Sequence, residues 1–551
     1  QALEEQRASG KKLSRALVDL GFVTEDETLQ VLADQLDIPF IDLNQYRLDR
    51  AVVAMIPEIQ ARRFRAIALA SDDKGVLVGM ADPTDIFTYD DLCRILKRPV
   101  RLAVVREAEL LQTLDTVYRK TEEINTFAEE LDAQLDDSDI DIDEMAASAG
   151  VADAPVVKLL QSLFEDAIQI GSSDIHIEPE ERSLRIRQRV DGVLHEQIMD
   201  ESRIAPALVL RLKLIAGLNI SEKRVPQDGR FTMRVKEKNI DVRISTMPTY
   251  HGEAVVMRLL DQSTGIIDMD RLGMEKSKLK RIKQLVGLPH GMFLVTGPTG
   301  SGKTTTLYAA LATLNVPEKK IVTVEDPVEY RLPRLNQVQV NTAIDLTFAR
   351  VLRTTLRQDP DIILIGEIRD EETADIALRA AMTGHQMLST LHTNDAISTV
   401  NRLLDMGVKP YLLASALNAI LSQRLVRKVC TSCARDIEPD AKERAWIDSF
   451  KAGDISDMNF KRGMGCNYCN YTGYAGRTGV YELLEFDQEL TDLLGHGSSI
   501  EFERLSRQRL EGNTLSYLAM HTAAAGVTTI EEAQRVSADV AGLLDASFAD
   551  A

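Results

Sequence analysis

Apolar positions recur along this chain at two periods, and each predicts a different element. Leu13, Leu17 and Leu20, and again Leu29, Leu32 and Leu36, fall on single helical faces, so residues 1 to about 37 read as two packed amphipathic helices. Thr24 and Glu27 form a capping box ahead of the second stripe. From 38 to 118, short β-type runs (38–41, 66–69, 75–80 and 100–105) alternate with helical ones, as in a compact α/β domain, with Cys93 in its core. Residues 184–194 alternate at period two, which predicts strands around a turn at Asp191-Gly192, with Arg187 and Arg189 projecting from one face. Arg230, Arg243 and Arg258 fall on later strand-like segments. Farther along, 292–296, 321–324, 362–365 and 386–391 are apolar or nearly so, the pattern of buried strands separated by helices. Beyond Glu482 the chain returns to helices of mixed polarity.

Residues 121–153 break this pattern. They are rich in Asp and Glu and contain no Lys or Arg, so they repel themselves and predict a flexible, partly helical linker. The domains expected are therefore 1–118, an acidic linker 119–153, an arginine-bearing domain 154–270, an α/β core 271–429, a cysteine module 430–480 and a helical part 481–551. A chain of 551 residues is too long for one core, which agrees with several units. No apolar run approaches the roughly 18 residues of a membrane span, and no signal-peptide pattern opens the chain, so it reads as cytoplasmic. A net charge of −20 argues against nucleic-acid partners, which need a basic surface.

The chemistry centres on Gly297-Pro298-Thr299-Gly300-Ser301-Gly302-Lys303-Thr304-Thr305, set between a strand-type run and a helical one. Such a loop closes backbone N–H groups around phosphates at a helix N-terminus. Lys303 would reach the β- and γ-phosphates of ATP, and the Thr304 hydroxyl would hold Mg²⁺. Two later strands end in acids, Glu325 in one and Glu367 in the other, the position where parallel α/β sheets carry their chemistry. One carboxylate can support Mg²⁺ while the other orients or deprotonates water. His392 follows a strand of the same sheet and is a candidate γ-phosphate sensor, whereas a histidine such as His385 is more often a core group. Arg187, Arg189, Arg243 and Arg258 are candidate charge-stabilising fingers at the ATP site. Cys430 and Cys433, with Cys466 and Cys469, make two Cys-x-x-Cys pairs and predict a tetrahedral structural Zn²⁺ site.

Together these motifs resemble the secretion ATPase family that powers type II secretion and type IV pilus assembly. The most specific part is 356–370, which resembles the family's signature around its atypical Walker B segment; 323–330 resembles its acidic box and 381–395 its histidine box. The resemblance implies a RecA-like P-loop NTPase core preceded by a PAS-like α/β domain. It also implies a homohexamer, peripheral to the inner face of the inner membrane, in which ATP binds between the arginine-bearing and P-loop domains. Their motion would turn a membrane-embedded platform protein. Within that picture Glu325 activates water, Glu367 supports Mg²⁺ or the water, and His392 contacts the γ-phosphate. The first module resembles the tandem cyclic di-GMP-binding motifs of MSHA-type pilus assembly ATPases. Leu3 and Gln6 match the tail of one motif, and Lys12, Leu13, Leu17, Leu32 and Gln35 match the second. Lys12 stands for arginine there, Ser14 for glycine and Thr28 for leucine. These features single out a pilus assembly motor under cyclic di-GMP control, with a type II secretion motor without that control as the alternative.

Overall fold

The computed structural model describes residues 22–44, 46, 48–117, 121–136, 155–235, 238–261, 268–450, 458–469 and 471–538. Leu3, Gln6, Lys12, Leu13 and Leu17 lie outside the described residues, as do 137–153 of the expected linker. Helix α1 (Glu25–Leu36) starts at the expected capping box: the Glu27 N–H donates to Thr24 Oγ1 at 3.2 Å, and the Thr24 N–H donates to Glu27 Oε2 at 2.8 Å. Its apolar stripe is only shallowly covered. Leu29 and Leu32 are half-buried, Leu36 and Gln35 are exposed, and Ala33 is the residue that reaches the interior. Strands β1 (Ala66–Asp72), β2 (Gly75–Met80) and β3 (Val100–Val104) form a three-stranded sheet. The β1–β2 pair is antiparallel; β2 and β3 run parallel because α2 (Ile86–Leu96) carries the chain back between them. Residues 38–41, expected as a strand, contribute only the bridge from Phe40 to Val104.

The acidic segment is partly helical, as expected, but the helix in its first half is docked on a neighbouring helix. Thr121–Asp136 is helix α3, with Ile124, Ala128 and Leu131 buried against α4 (Pro155–Gln169). That narrow stripe at helical spacing buries enough apolar surface to dock the helix, while Glu129 and Glu130 turn to water and Asp132 pairs with Arg203 at 2.9 Å.

Strands β4 (Ser172–Pro179), β5 (Leu184–Val190), β6 (Val193–Met199), β7 (Gln227–Val235), β8 (Lys238–Thr249) and β9 (Gly252–Asp261) form one sheet in the order β6-β5-β4-β9-β8-β7, antiparallel throughout. Helices α3, α4 and α5 (Ala205–Ile215) share a core with the inward residues Ile175, Ile177, Leu184 and Ile186. Along β5 the arginines therefore fall on the opposite face, as period two requires. The β5–β6 turn uses Asp191 at φ +47° and Gly192 at φ +87°, the two-residue hairpin turn that suits twisted strands.

The remaining sheet holds β10 (Gly291–Thr296), β11 (Ile321–Glu325), β12 (Asn336–Gln339), β13 (Ile362–Ile365), β14 (Gln386–Leu391), β15 (Leu417–Val429) and β18 (Tyr474–Glu485). Its order is β12-β11-β13-β14-β10-β15-β18, with every neighbouring pair parallel except β15–β18. Alternate β10 residues serve different cores: Met292 and Leu294 face one side of the sheet, Phe293 and Val295 the other. Helix α6 (Lys303–Leu314) packs on the second side, and α7 (Glu371–Met382) and α8 (Ala396–Asp405) on the first. Because the strands run parallel, their C-terminal ends form one rim, where the phosphate loop, Glu325, Glu367 and His392 all emerge. A small antiparallel pair of strands, β16 (Ala434–Asp436) and β17 (Lys461–Gly463), lies between β15 and β18 in the chain and belongs with the cysteine module.

Candidate nucleotide site

The loop from β10 to α6 is shaped by glycines at Gly297, Gly300 and Gly302, with φ of +149°, +78° and +88°. It also lies tight against β15. A Cβ at Gly297 would meet Gln423 O at 2.5 Å, and one at Gly302 would meet Gln423 Nε2 at 2.7 Å. Gln423 braces the loop actively: its Nε2 donates to Ser301 O at 2.7 Å and its Oε1 accepts from the Thr306 hydroxyl at 2.7 Å. Pro298, Thr299, Gly300 and Thr304 are exposed, Thr305 is half-buried, and Ser301 is buried.

Lys303 is only 8% exposed, and its Nζ donates to Gly297 O at 2.8 Å and to Pro298 O at 3.0 Å. Burial pushes its pKa down to about 8, with Glu367 pulling it up and Arg424 pushing it down further. A cation buried among carbonyls, beside exposed loop residues and a helix N-terminus, fits an incoming polyphosphate.

Glu367 follows β13 and sits beside this lysine. Arg369 Nη2 donates to it at 2.5 Å and His392 Nε2 lies 3.5 Å away, while Arg369 also reaches Asp326 at 3.3 Å. Partial burial holds the His392 imidazole below its usual pKa, and Lys303 and Arg369 push the same way against Glu367. His392 is thus neutral near pH 7 and can donate a hydrogen bond without carrying charge. His385 lies at the other end of β14, where its Nδ1 is 3.1 Å from Ala380 O.

Glu325 does not join that group. It is 3% exposed, and both oxygens are occupied. Oε2 accepts the Tyr308 hydroxyl at 2.5 Å, while Oε1 accepts the Thr323 hydroxyl and, at 3.3 Å, Gln337 Nε2. It is nonetheless next door: a Cβ at Gly366 would stand 3.3 Å from Glu325 Cα.

Among the described residues, Arg243 is the candidate finger that forms an ion pair with the P-loop domain. Its guanidinium makes a two-pronged pair with Glu329 at 3.1 and 2.7 Å. Arg258 pairs with Asp174 at 3.1 Å and, with Arg230, Arg243, Pro327 and Gln339, lines an open cleft of about 500 Å³ between the two domains. Arg187 is held by Glu178 at 2.5 Å and Arg189 by Gly192 O at 2.9 Å, and neither lines the cleft. Sequence reasoning missed Gln423, Arg424, Arg369 and Tyr308. The one local signal was the polar pair Gln423-Arg424 inside the apolar strand β15.

The four paired cysteines converge. Cys430 and Cys466 sulfurs are 3.8 Å apart, Cys433 and Cys469 3.8 Å, and Cys466 and Cys469 3.7 Å, with all four within 4.8 Å of one another and buried. Bonds of about 2.3 Å to a tetrahedral Zn²⁺ put neighbouring sulfurs about 3.8 Å apart, so the donor set fits that ion.

A glycine-rich phosphate loop on a central parallel strand, one strand removed from β13 and its acidic end, defines a P-loop NTPase-like core. More narrowly, the chain belongs to the family described as Type II/IV secretion system protein, which residues 150–535 match; residues 36–124 match the MshEN domain. The chain is 40% identical over 538 residues to the Type IV pilus assembly ATPase PilB of Myxococcus xanthus, covering 96% of this chain and 94% of that one. It is 41% identical over 495 residues to the Type II secretion system ATPase E of Vibrio cholerae, covering 89% and 98%. Among solved structures, the Legionella pneumophila ATPase DotB shares the fold with a TM-score of 0.51 at 21% identity, over 69% of this chain and 95% of that one. Among the described residues, no helix is long and apolar enough to cross a membrane.

Proposed function

We propose that this chain is a hexameric, Mg²⁺-dependent ATPase that drives type IV pilus assembly from the cytoplasmic face of an inner membrane, acting on a platform protein embedded there. The observation that carries the reading is the buried Lys303 beside Glu367 and His392 at the strand rim. On ATP arrival Lys303 exchanges the carbonyls of Gly297 and Pro298 for the phosphates, and the loop N–H groups of 299–305 enclose them. Thr304 and Glu367 would hold Mg²⁺, which neutralises phosphate charge when bound. Glu325 accepts a proton from the attacking water, and neutral His392 donates to the γ-phosphate. Arg243 and Arg258 are favoured over Arg187 and Arg189 as fingers because they line the interdomain cleft. The four thiols hold a structural Zn²⁺. The MshEN match supports cyclic di-GMP control, with Leu32 and Gln35 just ahead of the matched residues.

The activity test is ATP turnover by the full chain with Mg²⁺. Lys303→Ala is expected to abolish it, and a Lys303→Ala protein of wild-type kcat and KM removes the reading. Similarity to the Vibrio cholerae secretion ATPase favours a second reading, a type II secretion motor. Complementing a deletion strain separates the two: restored surface pili support the first, and restored exoprotein export alone supports the second.

A further inference from the structure

Tyr308 lies one turn past the phosphate loop, on α6, and is 3% exposed. Its hydroxyl faces three groups: Glu325 Oε2 at 2.5 Å, the Glu329 N–H at 3.3 Å and the Tyr330 N–H at 3.5 Å. A phenol has one proton to give, and the two N–H groups are donors only, so that proton belongs to Glu325. Burial and the neighbouring Glu325 charge raise the phenol's pKa, which keeps the proton in place. The ring is fixed edge-on against Tyr330, with centroids 5.9 Å apart. Glu325 is pinned on its other oxygen by Thr323 and Gln337, and Gln337 also ties down Tyr330 O at 2.9 Å and the Leu332 N–H at 2.7 Å. Glu329, whose N–H meets the phenol, is the residue whose carboxylate takes both prongs of Arg243 from the adjoining domain.

We propose that Tyr308 is a positioning residue: it sets the orientation of the Glu325 carboxylate and links that orientation to the Arg243–Glu329 contact between the two domains. The proposal rests on Glu325 as the group that activates water. When Arg243 pulls on or releases Glu329, the Glu329 N–H shifts against the phenol, and the carboxylate on its far side moves with it. Nucleotide binding should be untouched, because the hydrogen bonds of the Tyr308 hydroxyl go to Glu325, Glu329 and Tyr330 and those of Lys303 to Gly297 and Pro298.

The test is steady-state ATP turnover by the full chain as wild type, Tyr308→Phe, Glu329→Gln, the double variant and Glu325→Gln. Tyr308→Phe keeps the ring and removes only the hydroxyl. It is expected to lower kcat roughly tenfold or more, since small misplacements at a reacting centre have effects of that size, with KM for ATP unchanged. Glu329→Gln is expected to lower kcat similarly, and the double variant to match the single ones, the mark of residues acting as one unit. A raised KM alongside the fall in kcat, or additive losses in the double variant, assigns Tyr308 to packing alone and overturns the proposal. If Glu325→Gln is inactive while Tyr308→Phe is fully active, the positioning role fails and the water-activation reading stands. A fully active Glu325→Gln overturns both.

Discussion

Glu482→Gln exchanges a buried carboxylate for a neutral isostere and leaves the packing in place. Glu482 lies on β18, is 3% exposed, and caps two helices at once. Its Oε1 accepts the Ala396 N–H at 2.8 Å, at the start of α8, and its Oε2 accepts the Leu515 N–H at 2.9 Å, at the start of the helix Leu515–Ala524. Burial raises its pKa from 4.5 to about 7, with Asp395 adding to the rise and the two N–H groups and Arg424 opposing it. A carboxyl raised on folding is most stabilising while protonated. Its contribution is complete below the unfolded pKa and is lost as pH climbs through the folded one. At about 1.4 kcal/mol per pH unit the whole interval is worth ~3 kcal/mol, of which ~2 kcal/mol falls between pH 5.5 and 8. Glutamine keeps the shape and neutrality of the protonated acid, but its amide nitrogen only donates, so one of the two helix N–H groups loses its acceptor at every pH. The stability of Glu482→Gln relative to wild type should therefore rise by ~2 kcal/mol between pH 5.5 and 8, because only the wild type loses stability across that window. Trp446, the chain's single tryptophan, packs against the same cluster as Leu515 and reports urea unfolding there. A difference between the two proteins that is the same at both pH values refutes the reasoning.

Two further outcomes follow from packing and ligation. Cys466→Ser should lower zinc below one equivalent per chain by elemental analysis and speed proteolysis within 430–473. Wild-type protein purified without chelators and free of zinc contradicts the site. Leu131→Ala should loosen α3 by about 2–4 kcal/mol, the range for truncating a buried leucine, and is read as faster hydrogen exchange across 121–136. Unchanged exchange there returns the segment to a linker.

The phosphate loop, the buried strands and the paired cysteines were legible because each is written within a few consecutive residues. The docking of helix α3 was not, because its three apolar positions were outvoted by the acids between them. Composition measures charge but not the face on which it falls. Glu325 and Glu367 look equivalent in sequence, each closing an apolar strand. What separates them comes from other elements: Tyr308 on α6 and Gln337 on β12 enclose the first, while His392 and Arg369 face the second. The ranking of the arginines likewise needs the cleft, since Arg187 and Arg243 have the same strand-like surroundings in the chain. Gln423 acts on the loop only because β15 returns beside β10.

The cysteine cluster interrupts the turn between β15 and β18, and β18 is the outer strand of its sheet. An outer strand offers its backbone to any passing chain, a hazard that is partly blunted here by Lys278, whose Nζ donates to Tyr481 O at 2.7 Å. Cys430 immediately follows β15 and Cys469 lies shortly before β18, so a metal ion bound by the thiols would fasten the near ends of both strands. Oxidised or unligated thiols would therefore do more than loosen a small appendage. They would let the sheet margin fray and present a sticky border, so chains whose thiols are unligated should be cleared by proteolysis and aggregation faster than ligated ones.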